Sequence, residues 1–94
     1  MIIKLVIVMK NKVLINLYVP NLDRSYDLFI PTNEFIWKIN KLVTKSVSDL
    51  SEQKLSIDKN YVLVNTETGK IYGNNEIVVS TDIRNSTKLV LMEI

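Results

Sequence analysis

Val13, Ile15, Leu17 and Val19 alternate with Leu14, Asn16 and Tyr18. A period of two is the signature of a strand with one buried face. Pro20-Asn21-Leu22-Asp23-Arg24-Ser25 follows, and its Pro, Asn, Asp and Ser residues favour bends. Tyr26-Asp27-Leu28-Phe29-Ile30 then reads as the returning strand of a hairpin with a long loop. Pro31 stops this strand, because it has no N–H to give to a ladder. Beyond it, Phe35, Ile36, Ile39, Leu42, Val43 and Val47 recur at helical spacing and predict a helix over 33–47. Thr32 or Asn33 can cap that helix, and Glu34 suits a first turn, where the helix dipole favours negative charge.

Residues 48–60 carry no clear period. Ser48 to Gln53 can continue as a helical turn, with Leu50 and Leu55 tucked inward. Tyr61-Val62-Leu63-Val64-Asn65 predicts a strand, and Thr66-Glu67-Thr68-Gly69 a tight turn in which Gly69 can take positive φ. Lys70-Ile71-Tyr72 predicts a short return strand, which Gly73-Asn74-Asn75 breaks. Ile77, Val78, Val79 and Ile83 anchor a connection to a terminal strand over 89–94. The order ββαβββ predicts an α+β domain of the β-grasp type, a mixed sheet of about five strands on one helix. The long 73–88 segment allows a crossover that lays the last strand beside the first. A ferredoxin-like alternative needs a second helix, and 76–86 is a poor helical pattern.

Alternation also assigns faces. Val13, Ile15, Leu17, Leu28, Ile30, Val62, Val64, Leu89 and Leu91 are expected to face the helix. Leu14, Tyr18, Phe29, Leu63, Val90 and Met92 then fall on the opposite face, which in an antiparallel arrangement normally reads polar. Six apolar residues there exceed what a monomer ordinarily exposes in one patch and form a candidate partner surface. A second candidate lies on the helix, where Trp37 points away from the buried stripe beside Lys38, Lys41 and Lys45. Residues 1–11 stand apart from the core as an N-terminal extension, with 12–94 as the domain. Met1 to Met9 is apolar apart from Lys4, too short to cross a membrane and without the cleavage site of a signal peptide. An extra strand, covering a sheet face or edge or mediating self-association through residues 2–9, is the expectation there.

Composition narrows the chemistry. Ninety-four residues suit one domain. Ile, Leu and Val supply 34 of them and Ala none, which favours strands over a helix bundle. The chain has no Cys and no His, so disulfides, thiolate nucleophiles, imidazole bases and most zinc or copper sites are excluded. A net charge of +2 is too small by itself to draw nucleic acid or an anionic membrane. Thr66-Glu67-Thr68-Gly69-Lys70 superficially resembles a phosphate loop but lacks the flanking glycine. No enzyme activity, metal or cofactor is expected.

The stretch Val13-Leu-Ile-Asn-Leu-Tyr-Val, a polar turn, then Tyr26-Asp27-Leu28-Phe29-Ile30-Pro31 and an apolar–lysine helix resembles the EsaB/YukD family. The later pieces agree, namely Val62-Leu-Val-Asn, a Thr-Gly turn, Lys70-Ile71-Tyr72 and Lys88-Leu89-Val90-Leu91. Members are bacterial ubiquitin-like proteins encoded with type VII secretion systems. The resemblance covers residues 12–94 and departs at Ser86-Thr87, where the family pattern leads one to expect Gly-Asp. It implies a ubiquitin-like fold and a non-enzymatic accessory or regulatory role. That role would be played in the cytoplasm, or peripherally at the inner face of the membrane, through contacts with secretion machinery. Leu91-Met92-Glu93-Ile94 is not the flexible Gly-Gly tail that conjugation requires, and the family too lacks that tail. Two other readings stand beside this one: a β-grasp adaptor of another bacterial assembly, and a weak nucleic-acid-binding regulator using the lysine face of the helix.

Because the core is read as starting at Lys12, deletion of residues 1–8 is expected to leave a domain with cooperative thermal unfolding, as followed by circular dichroism. Loss of cooperativity would place the extension inside the core.

Overall fold

The computed structural model describes residues 11–51, 55 and 59–94 of the chain. Residues 1–10 of the N-terminal extension, and with them its anticipated role in self-association, lie outside the described residues. Strands β1 (Lys12–Val19) and β2 (Arg24–Pro31) form the first hairpin. Helix α1 (Ile36–Leu50) follows, then β3 (Tyr61–Asn65), one turn of 3-10 helix (Val78–Ser80) and β4 (Lys88–Glu93). The sheet order is β2-β1-β4-β3, with β1 and β2 antiparallel, β1 and β4 parallel, and β3 and β4 antiparallel. The last strand thus reaches the sheet centre beside the first, as the crossover requires.

The helix supplies the lid. Ile36, Ile39, Val43 and Val47 are its buried residues, spaced three and four apart on one face. Beneath them lie Ile15, Leu17 and Val19 of β1, Ile30 of β2, Leu63 of β3, and Leu89 and Leu91 of β4. Leu55, Tyr72, Val78 and Ile83 close the rim of this core.

Several expectations need correction. The Lys70–Tyr72 segment is not a full strand; it meets the sheet through an isolated bridge between Ile71 and Val64, so the sheet of described residues has four strands. Parity in β3 is opposite to expectation. Leu63 is fully buried and pairs with Leu91, whereas Val62 pairs with Met92 and Val64 with Val90 on the outer face. Leu63 fills the floor beneath the helix and carries Asn65, a polar residue, to the inner side with it; the Asn65 backbone carbonyl accepts the Gly69 N–H at 2.8 Å. Its side-chain oxygen accepts the N–H groups of Glu67 and Thr68 at 2.9 and 3.2 Å. Its side-chain nitrogen donates to the Tyr72 hydroxyl at 3.1 Å, so both ends of the amide are satisfied and it tolerates burial.

The helix also begins later and ends later. Its N-cap is Phe35, which makes no side-chain cap bond. Thr32 is engaged elsewhere, donating both its N–H and its hydroxyl to the Asn11 carbonyl. The first helical N–H groups are instead taken by carbonyls of the connecting segment, Ile36 N–H by Glu76 at 2.8 Å and Trp37 N–H by Asn74 at 3.3 Å. Backbone carbonyls thereby do what a capping side chain does elsewhere. Glu34 lies before the helix and pairs with Lys38 at 3.5 Å. At the far end, Leu50 is exposed rather than tucked in, as is Leu42 in the middle, because the buried arc is narrower than the apolar stripe.

The turn before β4 is tight. Ser86 sits at φ 72°, in the left-handed region that a glycine would occupy without strain. Its N–H reaches the Leu14 carbonyl at 2.8 Å, and Asn85 Oδ1 accepts the Leu14 N–H at 2.8 Å, so the turn is pinned to β1.

The parity of β3 gives a sharp test. Leu63→Ser should cost about 3–5 kcal/mol, from a lost buried leucine and a stranded hydroxyl. Val62→Ser, one residue away, should cost about 1 kcal/mol. Urea unfolding of the two variants measures the contrast, and equal losses would contradict the register.

Candidate functional site

Register places the outer-face residues individually. Phe29 pairs with Leu14 at one corner of the sheet. Tyr18 lies beside Val90, and Val90 beside Val64, which bridges to Ile71; one step along, Met92 lies beside Val62. Between these groups runs a polar row. Asn16 donates to Asp27 at 3.1 Å, and Asn16 is also the lateral neighbour of Lys88. Thr66 follows on the far side, its N–H and hydroxyl both donated to the Lys88 carbonyl.

The six residues expected to share one surface therefore do not. Leu63 is in the core, while Leu14 and Phe29 form a separate corner. Tyr18, Val90 and Met92 remain together and gain Val62, Val64 and Ile71. Within this patch Ile71 is 61% exposed and Met92 45%, figures expected of surface polar residues rather than of aliphatic ones. Tyr18 donates its hydroxyl to Asp23 at 2.7 Å, which fixes the ring at the patch margin and raises its phenol above the usual value. Ile71 went unassigned in the sequence because its strand was short. The signal for it is Tyr72, whose N–H goes to the Leu63 carbonyl and whose ring is buried, so its neighbour must face outward.

The helix surface carries the second candidate. Trp37 is 39% exposed, and the ammonium groups of Lys41 and Lys38 lie 5.4 and 5.6 Å from its ring centroid. Both distances suit a cation–π contact. Lys45 is exposed one turn beyond Lys41. Trp37 and Lys41, but not Lys38 or Lys45, also line a cleft of about 740 Å³ between α1 and β3. Its other walls are Asn40, Thr44, Lys59, Tyr61, Val62 and Ile94. Asn40 holds the two walls together by donating to the Tyr61 carbonyl at 3.2 Å.

A third cluster ties the 65–82 segment to the core. The buried Tyr72 hydroxyl donates to Asp82 at 2.5 Å and accepts from Asn65 Nδ2 at 3.1 Å. Burial first, then the Asp82 bond, pushes its phenol up to about 12. Lys70 lies 5.0 Å from the Tyr72 ring centroid and 3.2 Å from Glu76. Glu76 accepts the Gly73 N–H, and this bond with the Lys70 contact holds its carboxyl below the usual range. Every member has a structural partner. Among the described residues, no three His, Cys, Asp or Glu side chains gather to hold a metal ion.

No protein-family model matches this chain, and no curated protein matches its sequence. Solved structures do match. One is the EccD5 ubiquitin-like domain from Mycobacterium xenopi, with a TM-score of 0.66, 12% identity and coverage of 88% of this chain and 94% of that one. The domain has the ubiquitin-like β-grasp fold. A second match is a chain of the MycP5-free ESX-5 inner membrane complex, with a TM-score of 0.66 and 13% identity. It covers 89% of this chain but only 21% of that one. A third, described as molecular mimicry of SUMO promoting DNA repair, has a TM-score of 0.70, 16% identity and coverage of 87% and 91%. At such identities the likeness carries the fold alone. None of the helices among the described residues is long and apolar enough to cross a membrane.

The Tyr72 cluster predicts a pH dependence. A phenol held neutral to about 12 in the fold, against 10.0 ordinarily, adds stability that is present below pH 10 and lost as pH rises through 12. Tyr72→Phe should cost about 1–2 kcal/mol at neutral pH, since Asp82 and Asn65 lose their shared partner. It should also show a shallower loss of stability than the parent between pH 10 and 12. Urea unfolding across that range checks both, and parallel pH profiles would remove the role assigned to Tyr72.

Proposed function

We propose that this domain is a non-enzymatic accessory or regulatory component of a bacterial type VII secretion system. It works in the cytoplasm, or at the inner face of the membrane, by binding protein partners with the outer face of its sheet. The observation that carries this reading is the patch of Tyr18, Val62, Val64, Ile71, Val90 and Met92, with Ile71 and Met92 about half exposed. An aliphatic surface backed by a rigid sheet and bordered by a polar row has the anatomy of a recognition site, with an apolar centre and a hydrogen-bonding rim. The secretion context draws on the sequence resemblance over residues 12–94. The common fold with EccD5 and with a chain of the ESX-5 complex supports it. The absence of Cys and His and the fully partnered Tyr72 cluster favour binding over catalysis.

Purified full chain should bind a cytoplasmic domain of a type VII secretion membrane protein from the same organism, as measured by isothermal titration calorimetry. Ile71→Ser with Met92→Ser should weaken that binding by about tenfold or more while the thermal midpoint holds, as expected of central apolar contacts. Binding that ignores both substitutions, or no binding to any such domain, would defeat the proposal.

A further inference from the structure

The cleft between α1 and β3 shares Val62 with the patch on the sheet but has a different chemistry. Its volume is about 740 Å³ and its mouth is wide, so a ligand there lies along a groove and is not enclosed. Trp37, Tyr61, Val62 and Ile94 give it apolar surface, Asn40 and Thr44 give it polar side chains, and Lys41 and Lys59 stand at its walls.

The charges decide what it fits. Lys41 has Trp37 as its contact and meets no carboxylate among the described residues. Lys59 makes a long 3.9 Å contact with Glu93, the one ion pair it has among the described residues. Lys38, on the rim, is paired with Glu34. The cleft thus presents two cations, one unpaired and one loosely paired, around an apolar floor. Trp37 holds Lys41 near its ring, so the ammonium is positioned before any ligand arrives, which lowers the entropy cost of using it.

We propose that this cleft is a second recognition site, which takes a short acidic segment of a partner protein. One or two carboxylates of the segment meet Lys41 and Lys59, and an apolar side chain between them sits against Trp37 and Val62. Single-stranded nucleic acid fits less well. It calls for a track of cations along the backbone, whereas the cleft offers two lysines.

Trp37 is the sole tryptophan of the chain, so its fluorescence reports on this cleft and nowhere else. The full chain is titrated with a synthetic peptide in which Asp and Glu flank a central Phe. The controls are a peptide with Lys replacing each acid and a single-stranded oligonucleotide of similar net charge. Saturable quenching or shift by the acidic peptide is expected, with a dissociation constant below about 1 mM. Lys41→Glu should weaken it about tenfold or more, Lys41→Arg should retain it, and neither should move the thermal midpoint. Ile71→Ser should leave it intact, so failure of the cleft and failure of the sheet-face proposal are told apart. Three results would overturn the inference: no saturable signal with the acidic peptide, equal binding of the lysine peptide, or tighter binding of the oligonucleotide. An unchanged affinity in Lys41→Glu would do so as well.

Discussion

One helix has to bury one apolar stripe, and the sheet offers it one face. That constraint orders the molecule. Ile36, Ile39, Val43 and Val47 demand a continuous apolar floor, so every strand must turn its aliphatic parity the same way. In β1, β2 and β4 the alternation is plain, and the demand is met by residues that look suited to it. In β3 it is met by Leu63, and the price is that Asn65 must follow it inward. The polar cluster around Tyr72 exists to make that burial tolerable, since Asn65 finds a partner in the Tyr72 hydroxyl and others in its own turn.

Legibility in the sequence followed the same line. Where polar and apolar residues alternate, as from Val13 to Val19, the faces could be read directly. Val62-Leu63-Val64 offers no alternation, and the only polar cue, Asn65, pointed the wrong way because hydrogen bonding rather than solvent satisfies it. The helix was legible from its stripe, but not its start. The groups that receive its first N–H bonds belong to Asn74 and Glu76, some forty residues further along the chain, where no local capping rule can see them. Ser86 was noticed as a departure from glycine, and the backbone there has the positive φ that glycine would have suited. The lysines and Trp37 were visible as a face of the helix. The cleft was not, since it needs β3 and the residues after it to form the opposite wall.

Both surfaces singled out for recognition are by-products of the core. Val62 and Val64 face outward because Leu63 faces inward, and Ile71 does so because Tyr72 does not. Trp37 is held at the edge of the helix by the same 3.6-residue period that buries Ile36 and Ile39. The two surfaces share Val62, which touches the sheet patch on one side and lines the cleft on the other. They differ in character, one aliphatic and almost uncharged, the other aromatic and cationic, so they suit different ligands.

The parallel pairing of β1 with β4 brings together residues 16–18 and 88–90, the two strands at the sheet centre. A ribosome releases the first hairpin and the helix long before it releases β4. Until residue 90 has cleared the exit tunnel, the hairpin cannot be joined to β3, because β4 is the strand that lies between them. Until then the nascent chain carries an unfilled slot along β1, with Leu17 still without its eventual neighbour Leu89. The sheet therefore closes only once β4 has emerged, however early the hairpin and the helix form.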